Sequence, residues 1–307
     1  MSPAFNTLQH WFFDANSFQP CAAQLKLLLD ILPSADQAKV TKFRALKDQK
    51  LSLVSALIQR AMIRQTFTCS NKDFFIKRTS HNKPFATSEH VSILDWNYNV
   101  SHHGSYVTIL SDPSRPMGVD LVQRSVRKTW KESSCKYITQ FTSQLTFSEQ
   151  AACLKHSTEW KQYTHFFVIW SLKEAYIKAV GKGLYMDLLS VSFQVTFQSL
   201  SSDDVSGTAT VKIDGCERLD WEFRFSSLDA QHVVTVAKGP SVKGKMMDDS
   251  CTKEEMAARP TTPTQVQILD LLSPEDQVNW EKLEKNTGGG HTVSTTSTVI
   301  AGGGAAQ

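Results

Sequence analysis

The sequence has no long hydrophobic segment. No run of about 18 apolar residues occurs in its 307 residues, which argues against a helix that crosses a membrane. The N-terminus also lacks the basic region followed by an apolar run that marks a secretory signal. We therefore expect a cytoplasmic protein with no membrane partner.

Common metal-binding, disulfide and phosphate-loop motifs are absent as well. The six cysteines are widely scattered and form no C-x-x-C pair, which argues against a zinc ribbon or a disulfide framework and fits a reducing compartment. There is no Walker-type G-x-x-x-x-G-K-S/T loop, so a phosphotransferase of the P-loop class is not favoured.

Positive charge is concentrated in the first third of the chain. Residues 1–90 hold twelve Lys and Arg against six Asp and Glu, although the net charge of the whole chain is only +3. Such an excess suits nucleic acid, an acidic protein or a phosphorylated small molecule. No aromatic-interleaved basic motif accompanies it, so we expect no nucleic-acid partner.

Apolar periodicity predicts helices that precede a group of strands, twice along the chain. The longest predicted helices cover residues 47–67 and 159–180. On the second of them, Trp170, Glu174 and Lys178 are four residues apart and therefore share one face. A carboxylate and an ammonium on a mostly buried helix need a reason to be there, although an ordinary ion pair on a solvated edge is the structural alternative.

Two further segments carry polar residues at the ends of predicted strands. Asp120 lies near the end of an apolar strand, where its structural alternative is to cap a loop. Residues 99–104 form a strand that runs into a Ser-His-His-Gly turn. Because hard cations such as Mg²⁺ bind carboxylates together with substrate phosphates, the two separated carboxylates and the lysine suggest a phosphate-handling site.

The order and spacing of these segments resemble a known enzyme family. N-x-S-H-x-G at residues 99–104, G-V/I-D at 118–120 and W-S/A-x-K-E-S/A-F/Y-x-K at 170–178 are similar to the 4′-phosphopantetheinyl transferases of the Sfp type, in particular eukaryotic, fungal-like members. The resemblance covers residues 8–237. It implies an α/β (α+β) fold of two similar lobes, each a small, mostly antiparallel sheet packed with helices, with the active site in the cleft between them.

The resemblance also implies an activity, a division of the chain and its partners. The enzyme would transfer 4′-phosphopantetheine from coenzyme A to a serine of acyl carrier, peptidyl carrier and related carrier proteins, in a Mg²⁺-dependent reaction. Residues 1–115 would form the lobe that binds coenzyme A phosphates, and residues 116–238 the lobe with the metal site. A catalytically silent module that binds coenzyme A or a carrier protein is the alternative. A two-lobed chain can form its cleft alone, so we expect a monomer.

The resemblance assigns the metal ligands and the groups around them. Asp120 and Glu174 would hold Mg²⁺, and Lys178 would offset phosphate charge. Bacterial relatives often carry a third carboxylate where this chain has Val122. The general base is left open between Glu174, water and Glu149, although Glu149 also fits a capping box at the start of a helix.

Contacts to coenzyme A are predicted in the first lobe. Ser101 and His102 would lie beside its phosphates, together with Lys178. Further basic candidates are Lys47 or its neighbour Arg44, and also Lys83, which belongs to an Asn-Lys-Pro turn, with Arg78 near the same 3′-phosphate. Asn82 replaces the family's usual glycine in that turn, a mild change because Asn tolerates a left-handed conformation.

The last part of the chain has a different composition. Residues 239–307 are rich in Gly, Pro, Ser and Thr, so we predict a mostly disordered tail with one short helix at residues 273–283, which either stays free or docks on the rest of the chain. A chain ending near Lys238 is accordingly expected to fold. A basic segment, residues 124–147, is predicted to meet acidic carrier proteins. Its cations are Arg124, Arg127, Lys128, Lys131 and Lys136.

Overall fold

The computed structural model describes residues 8–89, 93, 96–112, 115–124, 133–240 and 262–286. In these residues the chain forms two lobes, each with helices packed on a mostly antiparallel sheet. The fold class expected from the sequence is therefore confirmed.

The first lobe is built on a sheet in which strand β5 is antiparallel to both of its neighbours, β1 and β4. The strands of the first lobe are β1 (Gln9–Asp14), β2 (Phe75–Arg78), β3 (Pro84–Thr87), β4 (Asn97–His103) and β5 (Tyr106–Asp112). Its helices are α1 (Ala22–Asp30), α2 (Ser34–Thr41) and α3 (Leu46–Phe67). Helix α3 supplies much of the core, with Leu53, Ile58 and Met62 fully buried.

The second lobe places one long helix against a larger sheet, whose strand order is β6-β11-β10-β8-β7. Its strands are β6 (Met117–Gln123), β7 (Val191–Leu200), β8 (Val205–Ile213), the short β9 (Cys216–Glu217), β10 (Glu222–Ser227) and β11 (His232–Lys238). Its helices are α4 (Ser134–Ile138), α5 (Phe147–Leu154) and α6 (Glu159–Val180). No helix in the described residues is both long and apolar enough to cross a bilayer.

Helix α6 approaches strand β6 very closely at Gly118. A Cβ atom added there would lie 1.9 Å from the carbonyl oxygen of Ala175, far inside van der Waals contact. Only glycine allows this approach, which brings the next residue on the same face of β6, Asp120, within hydrogen-bonding distance of Lys178 on α6. The glycine of the G-V-D motif is therefore needed for the distance between strand and helix.

The two lobes meet along strands β4 and β6, which are edge strands of their respective sheets. Alternate side chains of β4 accept hydrogen bonds from alternate backbone N–H groups of β6. The three bonds join Asn99 Oδ1 to Val119 N (3.1 Å), Ser101 Oγ to Leu121 N (3.2 Å) and His103 Nδ1 to Gln123 N (3.4 Å). We call this set the side-chain ladder. It satisfies edge amides that would otherwise need another strand.

The chain returns to the first lobe after residue 261. Strand β12 (Thr264–Gln265) pairs in parallel with β1, and helices α7 (Ile268–Leu271) and α8 (Pro274–Asn286) follow it. Leu271 and Trp280 are 1% and 3% exposed, and the Trp280 ring stacks on Phe18 with centroids 6.5 Å apart. The Arg64 guanidinium donates to the Leu271 carbonyl at 2.9 Å.

This packing corrects the prediction for the tail within residues 262–286. The expected helix is present, but it lies within a segment that completes the core of the first lobe. Composition averaged over residues 239–307 concealed the apolar residues that dock, because they are confined to the short stretch from Val266 to Trp280. Residues 241–261 and 287–307, which the prediction also covered, lie outside the described residues.

We predict that a chain ending at residue 240 is markedly less stable than one ending at residue 286. Burying a large apolar side chain stabilises a fold by roughly 1.5–3 kcal/mol, and the truncation exposes the partners of Val266, Leu271, Leu272 and Trp280. The melting temperature should fall by about 10 °C or more. Calorimetry on both chains tests this, and equal melting temperatures would contradict it.

A second stability effect involves two histidines next to helix α6. His156 Nε2 and His165 Nδ1 are 3.0 Å apart, and the His165 ring meets the edge of Phe197 at 5.1 Å. Burial, with a smaller contribution from the neighbouring His156, lowers the pKa of His165 to about 4. Burial, with a smaller contribution from the charge of Lys161, also lowers the pKa of His156.

We predict that His165 makes the fold less stable as pH falls from about 6.5 to about 4. In this window the unfolded chain binds a proton that the folded chain excludes, so the free energy of unfolding decreases by at most about 1.4 kcal/mol per pH unit. Above about pH 6.5 the contribution is complete. Melting temperatures of the wild type and His165→Asn between pH 4 and 8 test this, and parallel curves would contradict it.

Candidate active site

The three polar segments singled out in the sequence line one cavity between the lobes. The cavity has a volume of about 350 Å³. Strand β4 contributes residues 100–103, strand β6 contributes residues 120–122, and helix α6 contributes Trp170, Glu174 and Lys178. The structure therefore brings together the segments that the sequence places almost 80 residues apart.

Lys178 is bound to the opposite lobe and to strand β6. Its Nζ donates to Asp120 Oδ1 at 2.6 Å, to Ser101 Oγ at 2.9 Å and to the Val119 carbonyl at 3.2 Å. An ammonium has three hydrogens, so these contacts use its full donor capacity. The expected structural partner of Lys178 was Glu174, and the structure gives Asp120 instead.

Ser101 connects the ladder to the charged groups. Its hydroxyl donates to Asp120 Oδ1 at 3.1 Å, while its oxygen accepts from the Leu121 amide and from Lys178. Asp120, which is 7% exposed, is thus held by one hydroxyl and one ammonium. Its orientation is fixed by residues of both lobes.

Glu174 adds a second carboxylate to the same cavity. Burial raises its pKa above the ordinary value, the negative charge of Asp120 raises it further, and Lys178 offsets part of the shift. The cavity therefore holds two carboxylates and one lysine, which is an excess of negative charge. Oxygen ligands with uncompensated charge are what a hard divalent cation binds.

The metal-ligand set provided by the protein is small. Among the described residues no cluster of three or more His, Cys, Asp or Glu is arranged to hold a metal ion. At the position of the third bacterial carboxylate, Val122 is 4% exposed and belongs to the core of the second lobe. The protein would therefore supply two carboxylate ligands to a metal ion in this cavity. Mg²⁺ commonly keeps waters or substrate oxygens as its remaining ligands.

His102 lies between this cavity and a second one in the first lobe. Because β4 alternates, His102 points away from the face that carries the side-chain ladder. It lines both the cleft and a cavity of about 260 Å³ formed by helices α2 and α3 with Arg78. Desolvation, followed by the charge of Lys178, lowers the pKa of His102. At neutral pH it is therefore a neutral hydrogen-bonding group.

The predicted basic contacts are arranged unequally around these cavities. Lys47 is exposed at the start of α3, and its charge contributes to the lowered pKa of His103. Arg78 lines the second cavity and donates to the Asn82 carbonyl at 2.9 Å. Arg44 is exposed and lines neither cavity.

Lys83 points to the other lobe instead of into a cavity. Its Nζ donates to the Ala179 carbonyl at the C-terminal end of helix α6, at 3.1 Å. A cation at this end interacts favourably with the helix dipole. Burial lowers the pKa of Lys83. Asn82, next to it, has φ +67°, which is the left-handed conformation expected at this turn.

Glu149 is buried in the second lobe, outside the cleft. It closes the capping box with Thr146, accepts from the Phe193 N–H at 2.9 Å and pairs with Lys173 at 3.0 Å. The side chains of Glu149 and Lys173 are 0% and 2% exposed. The structural interpretation is therefore supported, and Glu149 has no access to a reacting group.

Two roles were not recognised in the sequence. Lys173, beside Glu174 in the motif, binds Glu149 and also donates to the carbonyls of Leu188 and Val191. Asn99 supplies the first bond of the ladder, where the sequence suggested only a turn. The period-two spacing of Asn99, Ser101 and His103 was the available signal, because such residues share one face of a strand.

Comparisons with known proteins agree with this geometry. Residues 16–114 match the family described as 4′-phosphopantetheinyl transferase, N-terminal, and residues 116–237 match the 4′-phosphopantetheinyl transferase superfamily. Together the two matches span most of the chain.

Individual relatives are similar over much of their length. The human L-aminoadipate-semialdehyde dehydrogenase-phosphopantetheinyl transferase is 24% identical over 283 residues, 88% of this chain and 89% of the relative. A phosphopantetheinyl transferase of Thraustochytrium sp. is 28% identical over 75% of this chain and 78% of its own length. The 4′-phosphopantetheinyl transferase pptA of Paxillus involutus is 29% identical over 64% and 74%. With both lobes matched and polar residues of all three motifs gathered in the cleft, the chain belongs to the 4′-phosphopantetheinyl transferase superfamily.

Proposed function

We infer that this protein transfers the 4′-phosphopantetheine group of coenzyme A to a serine hydroxyl of a carrier protein. The observation that carries this inference is the meeting of Asp120, Glu174 and Lys178 in one cavity between the two lobes of a phosphopantetheinyl transferase. A silent binding module would have no use for two adjacent carboxylates whose negative charge is only partly compensated. Nothing in the site favours that alternative.

We propose that coenzyme A lies across the two cavities that share His102. Its nucleotide would occupy the cavity beside helix α3, which Arg78 lines, and the exposed Lys47 at the start of the same helix would add positive charge for phosphates. Its diphosphate would then reach the cleft, where His102 would donate and Lys178, whose three hydrogens are already bound, would contribute positive charge. Lys83 would act mainly by holding the first lobe against the end of α6.

The carboxylates fit the role of cation ligands. Asp120 and Glu174 would hold Mg²⁺, which when bound neutralises charge on the diphosphate and makes its phosphorus easier to attack. Lys178 keeps Asp120 in place and adds positive charge on the same side of the cleft. Ser101 limits rotation of the Asp120 carboxylate.

The chemical step is a displacement at the phosphorus that carries pantetheine. The carrier serine oxygen forms a new P–O bond, the bond to the bridging oxygen breaks, and adenosine 3′,5′-bisphosphate leaves with the electron pair. The serine proton goes to Glu174 or to a water beside it. A raised pKa favours Glu174 as the acceptor, whereas cation binding lowers it, so water stays the alternative.

We further propose that the protein acts as a monomer in the cytoplasm. Residues of a single chain form the whole cavity, so the geometry requires no second copy. The five cysteines in the described residues are all unpaired, which suits a reducing compartment.

We predict that Asp120→Asn and Glu174→Gln each reduce kcat/KM by about 10²-fold or more, because each keeps the shape of the side chain but removes a charge that binds the cation. A coenzyme A-dependent mass shift of an acyl carrier protein measures activity. Mg²⁺ binding is measured separately by calorimetry without carrier.

Glu217→Gln is the matched control, since it removes an exposed carboxylate from strand β9, which lines neither cavity. Far-ultraviolet circular dichroism confirms folding of all three variants. If either site variant binds Mg²⁺ normally and turns over near the wild-type rate, that residue is not a metal ligand.

The expected docking surface for the carrier protein needs one correction. Arg124 is 9% exposed, donates to the Ala230 carbonyl at 2.6 Å and lies over the Trp160 ring at 5.6 Å. It is therefore a structural residue of the second lobe and not part of a charged surface. Lys136 is exposed, and Arg127, Lys128 and Lys131 lie outside the described residues.

We predict that reversing the charges of Arg127, Lys128 and Lys131 raises KM for an acidic carrier protein several-fold and leaves KM for coenzyme A within about twofold, because surface charge acts mainly on encounter. The effect should shrink as salt rises from 0.05 to 0.5 M, since screening shortens the range of the interaction.

Reversal of Lys26, Lys282 and Lys285 is the matched control. These exposed lysines lie on helices α1 and α8, which line neither cavity. An equal rise in both KM values, or an equal effect of the control, would place carrier docking elsewhere.

A further inference from the structure

A buried histidine of the second lobe packs against the Ser-His-His-Gly turn of the first. His232 begins strand β11 and is 5% exposed. Its Nδ1 lies 2.9 and 3.0 Å from the two carboxylate oxygens of Asp229, and its backbone N–H donates to the same carboxylate at 2.7 Å. Because a carboxylate only accepts hydrogen bonds, the ring donates from Nδ1, and this bond to Asp229 fixes the orientation of the ring.

The opposite edge of this ring faces Gly104. Nε2 is buried and has no hydrogen-bond partner among the described residues. A Cβ atom added at Gly104 would lie 2.2 Å from this nitrogen, so the ring edge rests directly on the turn. Gly104 also has φ +63°, which other residues rarely adopt. Two independent constraints therefore require glycine at the end of the N-x-S-H-x-G motif.

Neighbouring contacts hold the same turn from other sides. The Tyr106 ring, which follows the turn in β5, meets the His232 ring edge-on with centroids 4.9 Å apart. Gln123 is the register partner of His232 on β6, and its N–H donates to His103 Nδ1. His232 thus packs against a turn whose flanking residues also contact the second lobe.

We propose that His232, oriented by Asp229, is a positioning residue that fixes the turn at residues 102–104 and thereby sets the place of His102 between the two cavities. The inference rests on the proposed function, in which His102 contacts coenzyme A phosphates. His232 itself touches no substrate. Its contribution is to hold Gly104 in place and, through it, His102 two residues earlier.

The first test compares His232→Asn with His165→Asn. In each variant the amide replaces Nδ1, so the bond to Asp229 or to His156 has a substitute, and the outer edge of the ring is lost. Both histidines are buried, at 5% and 6% exposure, but only His232 faces the turn. Assays are done at pH 8, where the contribution of His165 to stability no longer changes with pH.

We expect His232→Asn to raise KM for coenzyme A by about tenfold while kcat and KM for the carrier protein change less than about twofold. Amide hydrogen exchange at residues 101–106 should become faster, as measured by mass spectrometry. His165→Asn should change neither quantity. Faster exchange with an unchanged KM, or an equal loss in all kinetic parameters, would overturn the proposal.

A double variant tests the contact itself. Gly104→Ala should lower the melting temperature in the wild type through both the clash with His232 and the left-handed backbone. In the His232→Asn background the clash is relieved, so the same substitution should cost clearly less. Strictly additive changes would show that the ring does not set the space at Gly104, and would overturn the proposal even if either single variant is too unstable for kinetics.

His102→Ala, assayed in parallel, separates this inference from the proposed function. If His102→Ala leaves KM for coenzyme A unchanged, the assignment of His102 as a phosphate contact is wrong. If His102→Ala raises that KM and His232→Asn does not, the phosphate contact stands and the positioning role of His232 is wrong.

Discussion

The side-chain ladder between β4 and β6 is the constraint on which the site depends. Two edge strands of different sheets lie side by side, and Asn99, Ser101 and His103 satisfy the N–H groups that face them. The same serine then binds Asp120 and Lys178. One set of hydrogen bonds therefore both joins the lobes and orients the Asp120 carboxylate. A change that weakens the contact between β4 and β6 also displaces this carboxylate. The close contact at Gly118 adds the second carboxylate from the facing helix.

Much of this was predictable from the sequence, because the relevant signals are local. The spacing of Trp170, Glu174 and Lys178 predicted a shared helix face, and the family resemblance that the three motifs carry implied the two lobes and their cleft. The partner of Lys178, in contrast, was not predictable from local spacing. Lys178 and Glu174 are neighbours by helical spacing, yet the lysine donates to Asp120, which lies 58 residues earlier in the chain. Tertiary packing decides which of two possible acceptors the lysine binds, and the spacing of residues along one helix carries no information on that packing.

Composition and single-residue chemistry also gave ambiguous signals away from the cleft. Glu149 fitted both a capping box and a catalytic carboxylate, and only its burial against Lys173 separates the two. Trp280 is the single tryptophan after residue 239, so average composition gave no sign that it stacks on Phe18. Asp229 and His232 stand three apart in a strand and its preceding turn, with nothing in the sequence to connect them to residue 104. All three cases depend on contacts between residues that are distant along the chain.

The return of residues 262–286 to the first lobe has a consequence for synthesis of the chain. The second lobe is contiguous, from β6 to β11, and all of its described strands and helices are available once residue 238 has left the ribosome. The first lobe begins the chain but lacks β12, Leu271 and Trp280 until about fifty more residues have been made. Vectorial synthesis therefore finishes the second lobe before the first, although the first is translated earlier. During that interval the nascent chain exposes the apolar surface around Phe18, where a chaperone would bind.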